Sequence, residues 1–264
     1  VFVLRITIGH AMIEVAIERH NRRVMRSLIL ASASPRRREL LGQLGVSYTC
    51  LVSQVEDYPA PPPPDLVEHL PALPLALPLE AHPTLVAWRK AADVSQQHPD
   101  AIVLAADTEV AIDGTVLGKP QNQDHAIAML RRLAGRTHTV LTGLCIVMHP
   151  DMGTEGFIYD QRRVLFDLVV SRVTMRSLSE DEIAAYVASG ESLDKAGGYG
   201  LQSGGAALIA AIDGSYTNVV GLPLPAVARL LQIAGIQPPI DPEQAYHAWL
   251  RNQGKEPPPW SIQP

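Results

Sequence analysis

Hydrophobic and polar positions switch between helical and strand periods along most of the chain. Ser27–Ala31 is a short apolar run ending at Ser32-Ala33-Ser34-Pro35, after which Leu40, Leu41 and Leu44 fall at helical spacing. Ser34 suits an N-cap and Pro35 the first helical position, where its missing N–H costs nothing. Val46–Val52 reads as a strand, and Thr84 as the cap of a helix with Leu85, Trp88, Ala92 and Val94 on its apolar face. Ala101–Ala106 is an uninterrupted apolar run, short enough for a buried strand, that stops at Asp107. Glu109–Ile112 and Thr115–Leu117 flank Asp113-Gly114, a type I′ hairpin signal. Asn122 caps a helix that turns Ile127, Leu130 and Leu133 inward and closes at Gly135. Strands follow at Thr137–Val147 and Val164–Met175, and Ser179 with Glu182 forms a capping box for a helix that carries Ile183, Tyr186 and Val187 to Gly190. Ala206–Ile212 and Ser215–Val219 are expected to pair across Asp213-Gly214, before a last helix from about Pro223 to Ala234. Roughly seven strands and five helices, with hairpins among them, predict an α/β fold with a mixed sheet rather than a doubly wound one.

The margins read differently. Residues 59–83 hold nine prolines, which remove amide donors and stiffen the chain, so a surface insertion of polyproline character is expected. Residues 237–264 read as a second proline-rich segment, a tail around a short helix near Glu243–Asn252. Residues 1–24 are apolar but interrupted by Arg5, His10, Glu14 and Glu18, with no cleavage site of a secretory signal. Met25 is the expected natural start, with 1–24 an extension that is not native and 25–236 the folded domain.

Composition narrows the function. The 264 residues are 47% hydrophobic and 19% charged, with a net charge of −5, an ordinary globular balance. That acidic total and only thirteen aromatic residues argue against nucleic acid as the partner. No stretch approaches the ~20 apolar residues of a membrane helix. Cys50 and Cys145 show neither metal-ligand spacing nor a disulfide framework, which suits a reducing, cytoplasmic setting.

Four places carry candidate chemistry. In Ser32-Ala33-Ser34-Pro35-Arg36-Arg37-Arg38 a strand delivers a small-residue turn to a helix start, where free amides and the dipole favour an anion. Cations oppose that dipole by ~0.3–1 kcal/mol, so three arginines there either bind an anion or form a solvated basic turn. Asp107-Thr108 follows a buried strand, where open α/β sheets place ligands and where turns also place aspartate. Lys119 is fixed between Gly118 and Pro120. Lys195-Ala196-Gly197-Gly198-Tyr199-Gly200-Leu201-Gln202 lacks the spacing of a P-loop or dinucleotide loop, yet its glycines permit close backbone approach to a ligand. His125, His138 and His149 show no ligand spacing, Ser203 lacks a nucleophile-elbow context, and both cysteines lie in apolar strands.

Together these segments resemble the Maf family of nucleotide pyrophosphatases, also called septum formation inhibitor proteins. Leu28–Leu41 is similar to the family's opening signature; Ala105-Ala106-Asp107-Thr108, Leu117-Gly118-Lys119-Pro120 and Leu130–Gly135 to its central block. Asp194–Gln202 and Asn218-Val219-Val220-Gly221-Leu222-Pro223 are similar to its closing block. The resemblance implies two α/β lobes with a central cleft across an extended mixed sheet, as in inosine triphosphate pyrophosphatases. It implies cleavage of a nucleoside triphosphate to the monophosphate and pyrophosphate with a divalent cation, Mg²⁺ or Mn²⁺, and a homodimer. In its terms Asp107 is the proton acceptor, Arg36, Thr108 and Gln202 separate substrate subgroups, and Ser32, Arg37, Lys90 and Lys119 line the phosphate site. Asp107 and Asp57 are the expected metal ligands, although Asp57 stands where the family usually has Glu and reaches about one methylene less. Glu109 departs from a position that tends to be apolar.

Asp-Thr with a later Gln resembles the subgroup acting on dTTP and UTP. A carboxamide both donates and accepts, so it matches the acceptor–donor–acceptor edge of uracil and thymine, whereas guanine's donors favour a carboxylate. A house-cleaning hydrolase of canonical or modified pyrimidine nucleotides is therefore expected. The alternatives are the same chemistry on 7-methyl-GTP, or a non-catalytic regulator of septum formation that binds nucleotide.

Overall fold

The computed structural model describes residues 27–55, 61–202 and 204–256, and by backbone alone residues 2–8, 11–17 and 261–263. β1 (Phe2–Ile8) and β2 (Ala11–Ile17) form an antiparallel hairpin. The domain proper begins with β3 (Leu28–Ala31), α1 (Pro35–Gln43) and β4 (Tyr48–Leu51), followed by the one-turn helix α2 (Pro64–Val67) and the long α3 (Pro83–Gln97). Then come β5 (Ile102–Ile112), β6 (Thr115–Leu117), α4 (Gln123–Leu133), β7 (Thr137–Met148), β8 (Phe157–Tyr159), β9 (Arg162–Met175) and α5 (Glu180–Ala188). β10 (Ile209–Ser215), α6 (Tyr216–Val220), α7 (Leu224–Ile233), α8 (Pro242–Asn252) and β11 (Ser261–Gln263) close the chain.

Nine strands make one mixed sheet in the order β11-β10-β9-β7-β5-β3-β4, with β6 added to β5 and β8 to β9. β3 runs parallel to β4 and β5, while β5, β7, β9 and β10 are successively antiparallel. The α/β class with a mixed sheet is as expected. Strand alternation divides the core. Val103 and Ala105 face α3, where they meet Ala87, Ala91 and Val94; Leu104 and Ala106 face the larger core built with α1, α4, α5, α7 and α8. Because both faces of β5 and β7 are covered, their apolar runs are continuous rather than alternating.

Several local signals read true. Ser34 accepts from the Arg37 N–H with Pro35 next, Asn122 accepts from the His125 N–H, and Ser179 with Glu182 closes a reciprocal capping box. Asp113 and Gly114 take φ of 51° and 69°, the left-handed pair a type I′ turn requires. One expectation fails here: the strand does not stop at Asp107, because 101–106 and 109–112 join into the single strand β5, and Asp107 and Thr108 lie within it rather than after it.

Two further expectations are corrected. Ser215–Val219 is not a strand: β10 continues through Asp213-Gly214 on β9, and Ser215 caps α6 by accepting from the Asn218 N–H. Gly214 is there for close approach, since a Cβ would stand 2.7 Å from Ser171 Oγ. The cap of α3 is His82 rather than Thr84; its Nδ1 accepts from the Thr84 N–H at 3.2 Å. That fixes the tautomer, so Nε2–H donates to the Pro71 carbonyl at 2.9 Å and pins the proline-rich insertion to the start of α3. The insertion is also anchored by Leu66, fully buried, and by His69 stacked 3.8 Å above Phe157.

Candidate active site

One edge of β5 is shared by two strands that do not meet. β3 pairs with Ile102–Leu104 and β6 with Val110–Ile112, so 105–109 face a gap between them. The chain leaves β3 at Ala31 and turns through Ser32–Ser34 into α1 at this gap. A cleft of about 310 Å³ opens here. Ser32, Arg36, Arg37 and Lys90 line it, as do Asp107, Thr108, Lys119 and Gln202. Eight of the nine residues singled out in the sequence thus meet in one cavity. Asp57 lies outside the described residues.

Asp107 faces α3, where Lys90 Nζ donates to its Oδ1 at 2.8 Å, each side chain only 15% exposed. Glu109 follows on the same face of β5. Burial first, and then the neighbouring Asp107, push its carboxyl up to about 8, with Lys90 working against them. At neutral pH Glu109 is therefore mostly protonated and neutral. Neutral, it adds no second negative charge beside Asp107.

Arg37 is held by neutral oxygens. Its Nε donates to the Gly221 carbonyl at 2.8 Å and its Nη2 to Thr108 Oγ1 at 3.0 Å. The direction of the remaining bonds follows. Thr142 Oγ1 donates to the Asn218 carbonyl at 3.1 Å, so Thr108 must donate to Thr142 across 3.0 Å and accept from Arg37. Thr108 has thus spent its proton inward, and its hydroxyl orients Arg37. Burial lowers the Arg37 pKa, Asp107 opposes this, and Arg36 adds to it. Arg36 Nη1 reaches across the cleft to Asp194 at 3.0 Å. Burial alone would raise the Asp194 carboxyl, but hydrogen bonds from Lys195 and Arg36 bring it below its ordinary value.

The Gln202 loop is fixed by tyrosines. Tyr186 Oη accepts from the Gly200 N–H at 3.2 Å, and Tyr199 Oη pairs with His138 Nε2 at 2.5 Å. Gly197 takes φ +71° and donates its N–H to the Gly118 carbonyl at 3.1 Å, which sets the Lys119 turn against the loop. His138 is buried, its Nδ1 has no hydrogen-bond partner, and burial depresses its pKa to about 4. Sequence reasoning assigned no part to Thr142, Asn218, Tyr186 or the Tyr199–His138 pair. Asn218 and Tyr199 stand inside matched motifs, but only the fold shows what they touch.

A family model described as Maf-like protein matches residues 27–234. The chain is 46% identical over 212 residues to a dTTP/UTP pyrophosphatase of Moorella thermoacetica, covering 80% of this chain and 97% of that one. It is 43% identical over 210 residues to a dTTP/UTP pyrophosphatase of Deinococcus radiodurans, 79% of this chain and 93% of the relative. A dTTP/UTP pyrophosphatase of Escherichia coli O157:H7 is 42% identical over 208 residues, 78% and 92% of the two chains.

Proposed function

This chain belongs to the family of Maf-like proteins, and on that premise we propose that it hydrolyses dTTP and UTP to the monophosphate and pyrophosphate. The carrying observation is the convergence of Arg36, Arg37, Lys90 and Lys119 with Asp107 on one cleft that has Gln202 at its wall. Phosphoryl transfer asks for positioning and charge neutralisation more than covalent help. Cations from α1, α3 and the β6–α4 turn supply both from three directions.

Asp107 is the proposed proton acceptor. The attacking water gives its proton to the carboxylate as its oxygen bonds to the α-phosphorus, and the α–β bridge breaks to release pyrophosphate. In the free cleft the ion pair to Lys90 keeps Asp107 oriented, and as Lys90 turns to the entering phosphates the carboxylate becomes free to accept the proton. Gln202 meets the pyrimidine edge through its carboxamide. Arg37, steered by Thr108 and Gly221, presents its remaining donors to phosphate oxygens.

Asp107 also fits a divalent cation. Mg²⁺ and Mn²⁺ take one or two carboxylates and complete their oxygen shell from substrate phosphates. Among the described residues no group of three His, Cys, Asp or Glu forms a ready-made cage, so phosphate oxygens would have to complete the shell. Bound there, the cation supplies Lewis-acid neutralisation of phosphate charge. No helix among the described residues is long and apolar enough to cross a membrane, and a free nucleotide is the proposed substrate.

The test is pyrophosphate release from a panel of dTTP, UTP, CTP, GTP and 7-methyl-GTP, with and without Mg²⁺ or Mn²⁺. Preference for dTTP and UTP is expected. Preference for the purines would overturn the base assignment, and no release from any member would overturn the enzyme.

A further inference from the structure

The span matched by the family model ends at Ala234, and the chain continues past it. After the turn at 235–240, Asp241 caps α8 by accepting from the Glu243 N–H at 2.9 Å, and Pro242 opens it. Tyr246, Trp249 and Leu250 are buried; Tyr246 and Trp249 lie against Tyr216 with ring centres 5.4 and 6.2 Å away. α8 also grips α1: Trp249 Nε1 and Gln253 Nε2 donate to Glu39, each at 3.4 Å. Glu39 stands one turn beyond Arg36.

The end of α8 is shaped with equal care. Gly254 takes φ +66°, its N–H donates to the Arg251 carbonyl, and the Lys255 N–H donates to the Leu250 carbonyl at 3.0 Å. This Schellman closure fixes the direction in which Lys255 leaves the helix. Its Nζ then donates to the carbonyl of Leu201 at 3.0 Å, where Tyr216 Oη donates as well at 3.3 Å. Leu201 is buried and directly precedes Gln202.

We propose that the segment 237–256 is a brace that ties the phosphate-binding helix α1 to the base-reading loop, and that Lys255 is a positioning residue for Gln202. The proposal rests on the assignment of Gln202 to the base. It adds that a part of the chain outside the span of the family model supports the loop that carries Gln202. Lys255 is not part of the cleft lining; it holds the carbonyl of Leu201, the residue before Gln202.

The experiment compares Lys255→Met, which keeps the stem and loses the donor, with Lys255→Arg, which keeps a donor. KM and kcat are measured on the triphosphate the wild-type enzyme prefers, together with the inhibition constant of inorganic tripolyphosphate, which has no base. Lys255→Met is expected to raise KM about three- to tenfold, the worth of one charge-assisted hydrogen bond in a partly exposed setting. Its kcat and the tripolyphosphate constant should stay within about twofold of wild type, and Lys255→Arg should recover most of the loss. An unchanged KM, or a tripolyphosphate constant that rises in step with KM, would overturn the positioning role. Thermal melts of both variants separate this from loss of fold; if the Met variant melts early, the KM ratio of Lys255→Arg to wild type, expected below about threefold, decides. A wild-type preference for a purine would overturn the substrate reading and leave this comparison intact.

Discussion

Gly143→Ala should damage both stability and catalysis, from a position with no side chain in the cleft. Gly143 pairs with Asp107 across β5 and β7, and α3 begins directly on top of it. A Cβ at this position would stand 2.1 Å from the Thr84 nitrogen and 2.3 Å from the Pro83 carbonyl carbon. Those are backbone atoms at a helix start and cannot rotate away. Ordinary contact lies near ~3.5 Å, so the first turn of α3 must retreat by more than ~1 Å. Overpacking of that kind costs about 1–3 kcal/mol. Lys90 moves with α3, and its 2.8 Å bond to Asp107 then exceeds hydrogen-bond reach, adding part of the ~1.5–3 kcal/mol a charged bond contributes. The expected total is about 2–5 kcal/mol in urea unfolding, with kcat/KM for dTTP down by about tenfold or more, since misplacement near 1 Å weighs heavily in catalysis. Gly42→Ala is the control: it lies in α1, where a Cβ meets only Tyr48 Oη at 3.6 Å, and should stabilise by about 0.5–1 kcal/mol. If Gly143→Ala unfolds within about 0.5 kcal/mol of wild type and turns over normally, α3 does not set the Lys90–Asp107 geometry in the way described.

Three further outcomes follow from the same site. Asp107→Asn should lose nearly all turnover while equilibrium dialysis still detects bound dTTP; normal turnover would remove Asp107 as the proton acceptor. Gln202→Glu should shift the kcat/KM ratio from dTTP towards purine triphosphates, because the carboxylate no longer donates; an unmoved ratio would end the base-reading argument. Burial holds His138 at about 4 in the folded protein, against about 6.5 when unfolded, so the unfolded state binds the extra proton between these values. Stability should fall by about 2–3 kcal/mol as pH drops from 7 to 4.5, and His138→Gln, which keeps a partner for Tyr199 but does not titrate, should lose that much less over the same range.

Part of the cleft is legible in the chain because Ser32, Arg36, Arg37 and Lys119 sit at or beside element ends, where local chemistry marks them. Ser34 and Pro35 announce the start of α1 and hence the arginines on it. The apolar run before Asp107 marks the strand that carries it, while the opening beside it arises because β3 and β6 pair with different stretches of β5. What stayed hidden depends on contacts far apart in sequence. Gly143 looks like an ordinary glycine inside a strand until Pro83 and Thr84 arrive above it. Asp213-Gly214 carries the same local signature as Asp113-Gly114, yet only the latter turns; β9 holds the former in line and Ser171 fills the space a side chain would need. Lys90 was assigned by resemblance alone, since a lysine within a helix carries no local mark of the acid it meets on β5.

The charge arrangement supports the proposal that the cleft takes a polyanion rather than a carboxylate or a neutral base. Lys90 and Arg36 each contact an acid, Asp107 and Asp194, but the Arg37 fork is oriented by a carbonyl and a hydroxyl, those of Gly221 and Thr108. Neutral oxygens orient a guanidinium without cancelling its charge, and burial makes that charge costly, as the lowered Arg37 pKa records. An entering phosphate recovers that cost through bidentate hydrogen bonds, and it can draw Lys90 and Arg36 from their acids without leaving either cation unpaired. In the proposed reaction a ligand of single charge would satisfy one of these groups and a triphosphate all of them, and as Lys90 turned to it, Asp107 would become available to the water.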